Sequence, residues 1–106
     1  MSQSDIYTVI CIIFGEKNPF EIKIEKNETV GLLKKLIKEE NANLAGIDTK
    51  FLDLYHVDIA EDDSLVTNVK AHPLDSKLPV TASLIEIFPD TPEKHKVHFI
   101  VKPSKF

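Results

Sequence analysis

Residues 6–40 read IYTVICIIFGEKNPFEIKIEKNETVGLLKKLIKEE, and the architecture is decided within them. Residues 6–14 are rich in β-branched and aromatic side chains and stop at Gly15, which predicts a strand. Gly15, Glu16, Lys17, Asn18 and Pro19 supply turn chemistry. Phe20, Ile22 and Ile24 then alternate with charges, as in a half-buried second strand pairing antiparallel with the first. Past Thr29, Val30, Leu33, Leu36 and Ile37 fall at helical spacing, with Thr29 as N-cap and Lys34, Lys35, Lys38, Glu39 and Glu40 on the wet side. The period fades at Asn41, so the helix is about three turns long.

Outward from this unit the chain is less regular. Residues 51–59 predict a third strand, with Leu52 and Leu54 alternating against Phe51, Asp53 and Tyr55. Residues 65–83 are the least legible: Leu65, Val66 and Val69 allow one or two helical turns, and His72-Pro73 forces an extended step. Residues 84–88 fit a strand or a helical turn stopped by Pro89. Residues 96–102 predict the last strand, with Val97, Phe99 and Val101 on one face. Two strands, a helix, then further strands with an irregular crossing is the order of an α+β, β-grasp fold. A mixed sheet of four to five strands packs on one main helix, and the last strand returns parallel beside the first. The chain reads as one domain over residues 1–106, with an ordered core near 6–102.

Composition narrows function mainly by exclusion. The 13 basic residues are all lysine against 17 acidic, for a net charge of -4. Without arginine's planar fork and with an acidic balance, nucleic-acid binding by this domain is not expected. A single cysteine, Cys11, excludes an internal disulfide and multi-cysteine metal sites, and its place in an apolar strand makes it a packed thiol. No apolar run approaches the ~20 residues of a membrane span. Residues 1–5 carry no positive side chain, so no secretion signal is recognisable. Gly15, Gly31 and Gly46 are too far apart for a phosphate loop, and Glu61-Asp62-Asp63 reads as a solvated turn without a calcium-loop pattern. His95 and His98, three apart on or beside a strand, point to opposite faces, and His98 reads as a surface side chain beside Lys96, Ile100 and Lys102. No enzyme, metal site or cofactor is indicated.

The first strand is apolar on both faces, and only one can meet the helix. Ile10, Ile12 and Phe14, with Ile100 of the last strand, therefore form an apolar strip on the other face. Such a strip suits a protein partner or another copy of the domain. The alternative is that residues 65–83 or the N-terminal residues cover it.

The segments TVICIIFGE, FEIKIEKNETVGLLKKLIKEEN, LDLYHVDI and IFPDTPEKHKVHFIVKP occur in the order found in the N-terminal header of Crinkler effectors, which this chain resembles. The matching residues are Cys11 and Gly15; Thr29, Val30, Gly31, Leu33, Lys34 and Ile37; Leu52, Leu54, Val57 and Ile59; and Phe88, Pro89, Pro92, Val97, His98, Ile100, Val101 and Pro103. The resemblance implies a ubiquitin-like header of a secreted effector that enters host cells and often reaches the nucleus, with activity in a separate C-terminal domain. In oomycete members the third strand holds a Leu-Phe-Leu-Ala-Lys element linked to translocation. Here Leu52 precedes Leu54, Tyr55, His56, Val57 and Asp58, so only the leucine is kept literally and the aromatic form is closer to fungal members. Ubiquitin's diglycine tail is absent, and Asp53 stands where ubiquitin presents an outward aliphatic residue. The competing expectation is a free-standing β-grasp adaptor that binds a cellular protein, or self-associates, through the open sheet face.

Overall fold

A computed structural model describes residues 6–74 and 77–103, so residues 1–5 and the end of the tail lie outside it. Four strands form one mixed sheet: β1 (Ile6–Ile13), β2 (Phe20–Glu25), β3 (Leu52–Ala60) and β4 (Lys96–Pro103), in the order β2-β1-β4-β3. β1 pairs antiparallel with β2 from Ile6–Glu25 to Cys11–Phe20, and Gly15, at φ 94, makes the turn between them. That backbone conformation is open to glycine and strained for other residues. β4 lies parallel to β1 over Cys11–Phe99, Ile12–Ile100 and Ile13–Val101, and β3 closes the other edge antiparallel to β4. This is the ubiquitin-like β-grasp order expected from the sequence.

Helix α1 (Val30–Glu40) crosses the first face, and its start is tied down from two sides. Thr29 Oγ1 accepts from the Leu32 amide, the predicted N-cap. The amides of Val30 and Gly31 donate to the carbonyls of Ala82 and Val80, so the segment before α3 satisfies helix-end donors that usually meet water. Val30, Leu33 and Ile37 then pack on Tyr7, Val9, Cys11, Ile13, Leu52, Leu54, Phe99 and Val101. Cys11 is fully buried, and the loss of hydration pushes its thiol well above the ordinary cysteine range. Lys34, expected on the wet side, is only 6% exposed. Burial pulls its ammonium below the ordinary lysine range, and nearby Asp53 works against that shift. Asp53 is also not outward: it is 9% exposed and its carboxylate lies 3.7 Å from Lys77 Nζ.

The poorly legible region holds α2 (Leu65–Ala71) and, after a turn at residues 80–81, α3 (Leu84–Ile87). Residues 84–87 are thus the helical turn, not the strand, of the two expected forms. The Ser83 amide donates to Glu86 Oε1, and the Phe88 amide to the Leu84 carbonyl just before Pro89 ends the turn.

β4 departs from simple alternation. Phe99 and Val101 face the α1 side, but Val97 joins Ile100 in the cluster on the opposite face. Between the pairs His56–Phe99 and Ile59–Val97, β3 carries one residue more than β4, a bulge that changes which side β4 presents. The expectation that Val97 shares a face with Phe99 is corrected on that ground.

Candidate functional site

The second face of the sheet is not open. Ile12 and Ile100 are fully buried, Ile10 is 8% exposed, and all three pack with Val57, Ile59, Val97 and the α2 residues Leu65 and Val69. Phe14, Tyr55 and Leu74 close the margins of this second cluster. The apolar strip of Ile10, Ile12, Phe14 and Ile100 is therefore a real unit, but α2 occupies it. The two apolar stripes of β1 need two covers, and α2 supplies the second.

The strand whose sequence resembles a translocation element divides between the two faces. Leu52 and Leu54 belong to the α1-side core, whereas Tyr55 and Val57 join Ile10, Ile12 and Ile100 under α2. His56 and Asp58 stand exposed, the His56 ring edge-on to Phe88 at 4.9 Å between centroids. The structure thus brings Tyr55 and Val57 to the predicted strip and sends Leu52 and Leu54 into packing.

A more polar constellation lies where β3, β4 and the loop after α3 meet. Its floor is Phe88, which makes edge-on ring contacts with Tyr7, His56, His98 and Phe99 at 4.9 to 6.2 Å. Tyr7 donates its hydroxyl to the Phe88 carbonyl at 2.7 Å in the interior, fixing the loop's entry. Around this floor, His56, Asp58, Pro89, Pro92, Glu93 and Lys96 line a cleft of about 300 Å³. Lys96 Nζ bridges its rim, 3.1 Å from Asp58 and 2.9 Å from Glu93. Both carboxylates hold the Lys96 ammonium above the ordinary lysine range by hydrogen bonding.

His98 sits behind this cleft and is only 4% exposed, contrary to the expectation of a surface side chain. Its Nδ1 accepts from the Ile10 amide at 2.9 Å, and its Nε2 meets the Glu93 carbonyl at 2.7 Å. A carbonyl can only accept and an amide can only donate, so the ring is neutral with its proton on Nε2. The bond falls one residue before the first β1–β4 pair, Cys11–Phe99, so an imidazole nitrogen takes the place of a strand carbonyl. Burial lowers the pKa of His98 against the opposing pull of Glu93, Asp58 and Glu61. His56 is lowered too, first by burial and then by the neighbouring His98. Sequence reasoning missed this residue because strand alternation assigns a side chain to one face or the other, not to the seam between strands.

These surroundings offer binding contacts more readily than catalysis. The only cysteine is a buried thiol, and among the described residues no group of three histidine, cysteine or carboxylate side chains could hold a metal ion. Among them, too, no helix is long and apolar enough to cross a membrane.

Comparison with known proteins agrees with this architecture. Two solved structures share the fold: the ubiquitin-like domain of an Arabidopsis thaliana protein and a ubiquitin of Caldiarchaeum subterraneum. The first has a TM-score of 0.62 at 14% identity, covering all of this chain and 85% of that one. The second has a TM-score of 0.57 at 14% identity, covering 95% and 96%. Crinkler effector protein 1 of Rhizophagus irregularis is 35% identical over 102 residues, which is 92% of this chain but 22% of that protein. The family description "Crinkler effector protein N-terminal domain" matches residues 7–102. With nearly the whole sheet, both helical covers and the Phe88–His98 region inside that match, the chain belongs to the Crinkler effector N-terminal domain family.

Proposed function

We propose that this domain is the non-catalytic, ubiquitin-like header of a secreted Crinkler-type effector. It acts in host-cell targeting or protein–protein interaction, and the effector's activity resides in a separate C-terminal domain. The observation that carries the reading is the extent of the similarity: it fills 92% of this chain yet 22% of its Rhizophagus relative. A unit that recurs as one portion of a much longer protein suits a module that addresses or docks its cargo. The side-chain inventory supports the same view, because Tyr7, His98, Asp58, Glu93 and Lys96 at the Phe88 cleft are engaged in structural contacts.

Within this reading the aromatic third strand is a folding element first, since Leu52, Leu54 and Val57 are buried. Its exposed contributions to the cleft are His56 and Asp58. An adaptor acting through an open sheet face is less well supported, because α2 covers that face.

The test is a fusion of residues 1–106 to a fluorescent protein, followed in producer and host cells. Entry into host cells, with or without nuclear accumulation, is the expected result. Retention in the producer, with no uptake, would overturn the effector reading.

A further inference from the structure

The contacts of His98 have a polarity that makes the β1–β4 seam sensitive to protons. Its Nδ1 faces a backbone donor, the Ile10 amide, at 2.9 Å. Its Nε2 faces a backbone acceptor, the Glu93 carbonyl, at 2.7 Å. An imidazolium has two donors and no acceptor. Adding a proton therefore sets N–H against N–H at Ile10 and leaves the Glu93 contact intact, even strengthened by charge. We propose that His98 is an acid-sensitive latch, whose protonation detaches the start of β4 and the loop of residues 89–95 from β1 while the ring stays bound to that loop.

The surroundings give the charged ring somewhere to go. Glu93 from the loop, Asp58 from β3 and Glu61 from the turn after β3 all act on it as anions. Opposing them are Lys96, already held by Asp58 and Glu93, and His56 of β3, whose ring also meets Phe88 edge-on. On the far side of Ile10, Glu21 and Lys23 of β2 flank the groove that also touches Glu93 and His95. The carboxylates therefore draw an imidazolium away from the Ile10 amide and toward the cleft. The loop's other attachments, Tyr7 Oη to the Phe88 carbonyl and the Glu61 amide to the His95 carbonyl, carry no titrating imidazole. They hold the two ends of the loop while the His98 contact opens.

The test reads two signals on one isotopically labelled chain between about pH 7.5 and about pH 4.5, the range in which histidines titrate. These are the ¹⁵N shifts of the His98 ring and hydrogen exchange at the Ile10 amide, corrected for intrinsic chemical rates. At the upper end the ring should show the neutral form protonated on Nε2. As the pH falls toward that titration, opening at Ile10 should rise by about tenfold per pH unit, the slope of a single linked proton, and level off below it. The Ile37 amide in α1 should keep its protection. Constant Ile10 protection while His98 titrates would overturn the proposal, as would titration of His98 only together with exchange at Ile37.

In His98→Gln a carboxamide can accept from Ile10 and donate to Glu93 without titrating, so the pH dependence at Ile10 should vanish. If that variant does not fold, the two wild-type signals decide alone. His56→Gln should leave the dependence in place; its loss there would assign the effect to His56 and overturn the latch.

Discussion

Tyr7 shows how one atom can hold a distant segment. Its hydroxyl reaches the Phe88 carbonyl across 81 positions of sequence, inside the protein, while its ring meets Phe88 edge-on. Tyr7→Phe keeps the ring but strands a buried carbonyl, so it should cost about 1–3 kcal/mol in urea unfolding. An unchanged midpoint would mean that water replaces the hydroxyl. In the sequence, Tyr7 was legible as part of the first strand and Phe88 as a boundary before Pro89. The bond between them was not, because no local pattern connects side chains so far apart. His98 was hidden for a different reason: its neighbours Val97, Phe99, Ile100 and Val101 imply plain alternation, and its role depends on the place where alternation breaks.

At the scale of elements, the four strands and α1 were legible because each carries either a run of β-branched and aromatic residues or a periodic apolar pattern. α2 was legible only as one or two helical turns, since its seven residues offer only Leu65 and Val69 as anchors. What announced it instead was the second apolar face of β1, which demanded a cover. Ile12→Glu would place an unpaired carboxylate at a fully buried position, so it should cost well over ~3 kcal/mol and abolish cooperative unfolding. A folded Ile12→Glu with a wild-type midpoint would show that the strip is open after all. Leu65→Ala removes packing from the cover itself and should cost about 2–4 kcal/mol, with increased binding of an apolar fluorescent dye. If dye binding stays at the wild-type level, α2 remains docked without that leucine.

For the whole molecule, two buried or half-buried histidines set the response to acid. His56 and His98 both have pKa values below the ordinary 6.5, each chiefly through burial. The unfolded chain then takes up protons before the folded one. Stability is fully present above pH 6.5 and falls as the pH drops through the lowered native values. Urea midpoints should therefore be lower at about pH 5 than at about pH 7.5, and His98→Gln should flatten part of that slope. Equal midpoints would show that neither histidine is neutral by virtue of the fold. With α2 on the second face, the large apolar side chains exposed among the described residues are Ile6, Val80 and Ile85. Three such residues are a small apolar allowance, so light scattering should find a monomer at high micromolar concentration. A concentration-dependent dimer would revive self-association.

The parallel partnership of β1 and β4 also has a mechanical meaning. Because the two strands run in the same direction, the chain before Ile6 and the chain after Pro103 leave from opposite ends of the sheet. A pull between those ends slides the two central strands past one another and loads their bonds together, where an antiparallel pair would peel open bond by bond. The domain is thus built to bear tension along its own strands, and at the rear of that seam the load passes through an imidazole.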